Sequence, residues 1–256
     1  MLSSEERERY ARHILLKEIG GPGQQRLKAA RVAIVGAGGL GAPAALYLAA
    51  AGVGHLRLID DDVVSLSNLQ RQIVFESDDA GAAKVERAAA ALQKLNPHVE
   101  TEARRERLTE ANAQELLAGV DLVLDGTDDF ATRFAVNAAC HALGVTLISG
   151  AVGRWDGQVA TFKSGPTKHL PEHQRLPCYR CFVPETPPNA ETCAQVGVVG
   201  ALTGVIGSIM ALEAIKEIAE AGEGLPGRIL LFDGLEANAR RVALPRDPAC
   251  VVCGHG

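Results

Sequence analysis

Apolar positions in this chain fall in short runs that alternate with stretches of helical spacing. Arg31-Val-Ala-Ile-Val35 is one such run, ending in Gly36-Ala-Gly-Gly-Leu-Gly41, and Ala42 to Ala51 is then rich in helix formers. The reading is strand, glycine turn, helix. A second strand is predicted over His55 to Ile59, stopping in three acids, Asp60, Asp61 and Asp62. This βαβ unit of about thirty residues has the length of a right-handed crossover onto a parallel strand. Lys84 to Leu95 has helical spacing and stops at Asn96-Pro97, since the residue before proline is pushed out of the helical region. Val120 to Asp125 and Val145 to Ser149 read as further buried strands, with a helix between them from about Phe130 to Leu143. Such alternation predicts an α/β fold, Rossmann-like and doubly wound, with a mainly parallel sheet covered on both faces.

Past Gly150 the texture changes. Gln158 to Phe162 and Arg228 to Phe232 read as strands, while Lys163 to Pro188 carries six prolines and reads as a long crossover loop. Val196 to Leu212 is free of charges for 17 residues, near the lower limit of a membrane span. Gly197, Gly200, Gly204 and Gly207 interrupt it, however, and it runs into Glu213 and Lys216. A helix buried in a core or a subunit interface is expected instead. There is no internal repeat, heptad run or low-complexity tract, so residues 1–256 are read as one domain. Residues 1–150 form its nucleotide-binding half and residues 151–256 an extended C-terminal part.

Composition narrows the function. With 26 basic and 31 acidic residues the formal charge is −5, which argues against nucleic acid as a partner. A chain of 256 residues can bury a real core without disulfide staples. Met1 to Lys17 alternates Glu and Arg and lacks the apolar stretch of a secretory signal, so a cytoplasmic protein with no membrane segment is expected.

In Gly36-x-Gly38-x-x-Gly41 the first glycine permits a tight turn, the second lets backbone approach a phosphate, and the third lets helix pack on strand. Asp60, at the end of the second strand, is placed to accept hydrogen bonds from a ribose. Strand before, helix after and acid at the right distance together predict a nucleotide. The fingerprint by itself favours NAD or FAD. Ser65-Leu-Ser-Asn-Leu-Gln-Arg-Gln72 and Lys84 shift that balance, because Asn68, Arg71 and Lys84 suit a triphosphate whose leaving pyrophosphate must be neutralised. The alternative for Arg71 and Lys84 is ordinary surface charge. No P-loop pattern occurs, so ATP would be bound without one. Asp125-Gly-Thr-Asp128-Asp129 ends a third strand, where a carboxylate faces the ligand crevice and could hold Mg²⁺ against phosphates. Asp128 or Asp129 could equally cap the helix that begins near Phe130.

Cys178-Tyr-Arg-Cys181 and Cys250-Val-Val-Cys253 are two pairs of identical spacing, and four thiolates fit a closed, structural, tetrahedral Zn²⁺ site. A dithiol redox pair is the rival reading. Cys140, among small apolar residues, reads as core. Cys193 lies in a polar stretch ahead of the apolar helix, where a thiol can be activated. His169 and His173 fall in the proline-containing loop and read as solvated.

Arg9-Tyr-Ala-Arg12-His, the glycine loop, Asp60-Asp-Asp62, Ser67-Asn-Leu-Gln-Arg71-Gln72, Lys84, Gly126-Thr-Asp128 and both cysteine pairs together resemble the ubiquitin-activating-enzyme-like adenylyltransferases of ThiF/MoeB/HesA type. The resemblance covers nearly the whole chain. It runs closest to the branch serving molybdopterin synthase, with the thiazole (thiamine) branch next. It implies attack of the C-terminal glycine carboxylate of a ubiquitin-like sulfur-carrier protein on the α-phosphate of MgATP, giving an acyl-adenylate and pyrophosphate. By the same resemblance Gly36, Gly38, Gly39, Gly41, Asp60, Asp62, Ser67, Asn68, Leu69, Gln70, Arg71, Lys84, Asp128 and Asp129 would contact the nucleotide. Asp128 would bind Mg²⁺, and Arg12 would reach the γ-phosphate from the partner subunit of a homodimer. Residues 151–256 would bind the carrier. Cys193 matches a position where some relatives form a covalent bond with the carrier. Asp129 stands where these relatives usually carry Asn. A C-terminal sulfurtransferase domain is missing, so sulfur would come from a separate sulfurtransferase or a cysteine desulfurase. Three other readings share parts of this pattern: an NAD-dependent oxidoreductase, for which no Tyr-x-x-x-Lys pair is found, a noncatalytic zinc-stabilised module for ubiquitin-like tails, and adenylation of a peptide or a tRNA base.

Overall fold

The structure, a computed structural model, describes residues 1–188 and 197–254. One 8-stranded sheet runs through both halves of the chain in the order β3-β2-β1-β4-β5-β6-β7-β8. Its strands are β1 (Arg31–Val35), β2 (His55–Ile59), β3 (Glu100–Arg104), β4 (Leu122–Asp125), β5 (Thr146–Gly153), β6 (Asp156–Phe162), β7 (Arg228–Asp233) and β8 (Asn238–Ala243). The first five in this order pair in parallel, and β5 through β8 continue as antiparallel neighbours. The helices are α1 (Ser4–Arg9), α2 (Ala11–Ile14), α3 (Gly20–Ala29), α4 (Gly41–Ala51), α5 (Lys84–Leu95), α6 (Ala113–Leu116), α7 (Phe130–Leu143), α8 (Ser164–Thr167), α9 (Tyr179–Phe182) and α10 (Gly200–Ala219).

Alternation along each strand builds two cores. Val32, Ile34, Leu56, Leu58 and Leu124 face a cluster shared with α4, α5 and α10. Ala33, Val35, Ile59 and Val123 face a second cluster shared with α6, α7 and Tyr179. This is why β1 and β4 read as nearly continuous apolar runs, and why even His55 and Arg57 of β2 are buried: both faces of these strands are covered.

Most elements fall where the sequence places them. The strand predicted from Val120 begins at Leu122, and the one predicted to end at Ser149 continues to Gly153. The segment from Lys163 to Pro188 is not simply loop, for α8 and α9 lie within it. The apolar helix runs from Gly200 to Ala219, three residues beyond Lys216. Gly207 lets it lie against α4: a Cβ there would sit 2.5 Å from the Leu40 carbonyl oxygen. Among the described residues no helix is long and apolar enough to cross a membrane.

Register sets the level of the site. Val35 pairs with Ile59 on one side and Asp125 on the other, and Asp125 pairs with Ser149. Gly36, Asp60 and Gly126 therefore leave the carboxyl edge of their strands at one height, level with Gly150 within β5. The chain winds outward from β1 through β2 to β3, then returns to β4 on β1's other side. The crevice between β1 and β4 is thus the point where strand order reverses, the preferred ligand position in such sheets.

Candidate nucleotide site and thiolate cluster

The glycine loop is shaped by close approaches. Gly36 has φ +87°, and a Cβ on Gly41 would lie 1.8 Å from the Gly36 carbonyl oxygen. Gly36 in turn rests on Gly126, the residue after β4. Among the described residues a Cβ on Gly38 would meet only the Gln72 side chain, at 3.5 Å, so none of them forces glycine there. The Ala37 amide donates to Asp60 Oδ2 at 2.8 Å and the Asp62 amide donates to Oδ1 at 2.9 Å. Burial pushes the Asp60 carboxyl up, opposed by the nearby Lys84 ammonium and these two amides. Lys84 opens α5, is only 5% exposed, and donates to Asp62 Oδ2 at 2.7 Å. It is no surface decoration.

A cavity of about 360 Å³ opens over the crevice, with Gly39, Arg71, Gly126 and Asp128 on its wall. Arg71 is steadied by donating to the Ser67 carbonyl at 3.1 Å. The cavity's apolar lining includes Phe130, Val152, Phe182 and Val183. Ser67 and Asn68 shape the approach as a short 3₁₀ turn, where Asn68 Oδ1 accepts from the Ser65 amide at 3.2 Å. Leu69 follows as its cap, and the Gln70 carbonyl lies against Gly200 at the start of α10.

The two adjacent acids divide. Asp129 caps α7, its Oδ1 accepting from the Thr132 amide at 2.9 Å, while Asp128 is exposed at the cavity. Arg12 is not brought to the cavity within one chain. It sits on α2, beside Tyr10, whose hydroxyl shares Asn96 with the Ala49 carbonyl near the far end of α4. The 11 residues of α4 separate that end from the glycine loop by about 16 Å.

Three residues at the site escaped the sequence reading. Asp125 is fully buried and accepts from the Thr127 amide, the Thr127 hydroxyl and the Ser149 hydroxyl, at 3.0, 2.7 and 3.1 Å. Arg133, in the second turn of α7, is also buried and donates to the carbonyls of Thr127 and Gly150. Burial pulls its pKa down, but the Asp125 carboxylate, Tyr179 and the Asp128 carboxylate together outweigh this and keep it charged. Gln72 has a buried Oε1 with no hydrogen-bond partner among the described residues. Its place beside Arg71 in the Ser67 to Gln72 motif was the one available signal.

The four cysteines of the two pairs converge: all four Sγ atoms lie within 4.8 Å of one another. Cys178 and Cys250 Sγ are 3.5 Å apart, and Cys181 and Cys253 Sγ 3.3 Å, with all four cysteines free. Hydrogen bonds from the Cys178 and Cys253 thiols hold Cys181 well below the usual thiol range. Four soft donors with one sulfur already favouring the thiolate fit a tetrahedral Zn²⁺. Arg246 pins the tail beneath them, donating to the carbonyls of Cys253 at 2.8 Å and Gly254 at 3.1 Å. Cys140 is core as expected, and His169 and His173 are exposed. Cys193 lies outside the described residues.

An open α/β sheet with a glycine loop at its reversal point, an acid after the second strand and Arg71 on the cavity wall has the arrangement of a nucleotide-binding fold. The ThiF family model matches residues 10–252, and the chain belongs to that family. It is 46% identical over 254 residues to the sulfur carrier protein adenylyltransferase of Thermus thermophilus, covering 98% of this chain and 92% of that protein. It is 44% identical over 254 residues to the molybdopterin-synthase adenylyltransferase of Salmonella typhimurium, covering 99% of each. The solved structure of E. coli MccB with MccA-N7isoASN has a TM-score of 0.83 at 22% identity over 99% of this chain and 76% of that one, a likeness of fold.

Proposed function

We propose that this protein adenylates the C-terminal glycine of a ubiquitin-like sulfur-carrier protein, for molybdopterin cofactor biosynthesis. The observation that carries the reading is the cavity itself, whose wall combines Arg71, Asp128 and Gly39 with the apolar side chains of Phe130, Val152, Phe182 and Val183. That mixture suits a polyanion meeting the extended, side-chain-poor end of a polypeptide. The full-length relatives named above support it. Activation of the thiazole-pathway carrier is the same chemistry on a different partner.

In the reaction a carboxylate oxygen of the carrier attacks the α-phosphorus of ATP. The new O–P bond forms as the bond to the oxygen bridging toward the β-phosphorus breaks, and pyrophosphate departs with that electron pair. Gly39 and Asp60 hold the adenosine and its ribose, and Asp62 keeps Lys84 aimed inward. Asn68, Arg71 and Lys84 take the phosphates, with Ser67, Leu69 and Gln70 forming the backbone that seats them. Little covalent work falls to the protein, which aligns carboxylate with phosphorus and places cations where charge develops. Asp128 would hold Mg²⁺, which supplies neutralisation of the phosphate oxygens. Cys178, Cys181, Cys250 and Cys253 would hold Zn²⁺ as a closed structural site. Arg12 serves the neighbouring active site of a homodimer, and residues 151–256 receive the carrier. Cys193 is a candidate for a covalent adduct with it, and a separate sulfurtransferase or cysteine desulfurase supplies sulfur.

Pyrophosphate exchange into ATP, with and without candidate carriers, tests the proposal. Carrier-dependent exchange is expected, falling about 100-fold or more in Arg71→Ala and Lys84→Ala. No carrier-dependent exchange, or full activity in both variants, refutes it. Intact-mass analysis should show an AMP adduct on the carrier.

A further inference from the structure

The cysteine cluster and the nucleotide cavity are adjacent parts of one wall. Helix α9 is bracketed by the cluster, with Cys178 at its N-cap and Cys181 within it. Between those two cysteines the chain sends Tyr179 inward, 3% exposed, to line the cavity. Tyr179 is fixed from several sides. Its amide donates to Asn137 Oδ1 on α7 at 2.8 Å, and its ring meets Phe162 edge-on at 5.8 Å and Phe134 at 6.0 Å. Its hydroxyl faces the Arg133 guanidinium. Arg133 holds the Thr127 carbonyl from below, and Thr127 is the residue before Asp128.

From this juxtaposition we propose that Tyr179 is a positioning residue: it passes the geometry of the metal-held cysteine turn, through Arg133, to the Gly126-Thr127-Asp128 loop. The cluster then does more than hold the tail. It sets where the Asp128 carboxylate stands relative to the phosphates. A buried guanidinium whose Nη2 donates to two carbonyls is already oriented, and the Tyr179 hydroxyl beside it limits its remaining freedom. Tyr179→Phe keeps the ring packing and deletes only the contact with Arg133. The catalytic part of this inference rests on the adenylation reading, whereas the placement of the loop does not.

Hydrogen exchange and kinetics separate the two. In zinc-loaded Tyr179→Phe, amides of residues 126–129 should exchange about tenfold faster than in the native chain, while those of β1 and β2 stay protected. Stripping the native protein with a chelator should speed exchange in the same loop. In the exchange assay the variant should lose about tenfold in kcat and need several-fold more Mg²⁺ for half-maximal rate, with KM for the carrier, zinc content and melting temperature unchanged. Unaltered loop exchange in Tyr179→Phe overturns the proposal. So does a loss of zinc or of melting temperature parallel to the loss of rate, which would make Tyr179 only a structural prop. If the native protein shows no exchange activity at all, the adenylation reading fails, and the loop measurement still decides the role of Tyr179.

Discussion

Two glycines of one loop separate a fold requirement from a ligand requirement. In Gly41→Ala the new methyl would sit 1.8 Å from the Gly36 carbonyl oxygen and 3.2 Å from the Ile34 side chain. Both Gly36 and the start of α4 are backbone packed within a dense core, so no rotamer change relieves the overlap. The strand end and the helix must separate by about 1 Å or more. Overpacking of this kind costs ~1–3 kcal/mol, and a backbone-to-backbone clash belongs at the top of that range. At ~2–4 °C per kcal/mol for a chain of this size, melting should fall by about 6–12 °C. Gly38→Ala meets only a flexible glutamine end at 3.5 Å, so its melting temperature should stay within ~1–2 °C of native. If the Gly38 backbone lies against phosphate, that same methyl stands in the ligand's place, and ATP affinity by calorimetry should drop about 100-fold, or ~2.7 kcal/mol. Native melting in Gly41→Ala refutes the packing argument. Native ATP affinity in Gly38→Ala refutes the phosphate assignment.

The adjacent acids should behave oppositely. Asp129→Ala loses a helix cap and ~1 kcal/mol in urea unfolding with exchange activity kept within a few-fold, whereas Asp128→Ala keeps stability and loses activity. Metal analysis should find one zinc per chain, absent in Cys250→Ser. Because the cluster joins positions 72 residues apart, its removal should lower stability by ~4 kcal/mol on the loop-closure estimate, seen as a chelator-dependent fall in melting temperature. Burial pushes the Glu6 carboxyl up, but the Lys28 ammonium at 2.7 Å and the Ser3 groups outweigh it and hold it at about 2. A depressed carboxyl stabilises the fold fully above its ordinary value of 4.5, and that contribution is lost as pH falls from there toward 2. Urea midpoints at pH 7 and pH 3 should therefore differ less in Glu6→Gln than in the native chain.

The first 150 residues were legible because their signals are local. A strand, a glycine loop and an acid at the next strand end lie within thirty-odd residues, and the parallel register of β1 with β2 follows from their spacing. Strands β3 and β8 were missed for a physical reason. Glu100–Arg104 and Asn238–Ala243 lie at the two edges of the sheet, carry charge on open faces, and so lack the apolar alternation that marks a strand. Helix α3 was hidden by its opening Gly-Gly-Pro-Gly. The partners Arg133 and Tyr179 meet across forty-six positions and belong to the ends of α7 and α9, so no spacing rule links them. Convergence of the cysteine pairs was readable only because equal spacing is itself a signal of a shared metal.

All six residues of β8 are exposed, so this outermost strand contributes nothing to either core. What keeps it in place is β7 on one side and, a few residues on, the tail anchored at Cys250 and Cys253. If Zn²⁺ joins the four cysteines, its removal frees that tail and leaves a loosened strand border, guarded against self-association chiefly by Arg240 and Arg241. Clumping, rather than wholesale melting, is then the earliest symptom expected of metal starvation, and it should worsen at high salt as those two charges are screened.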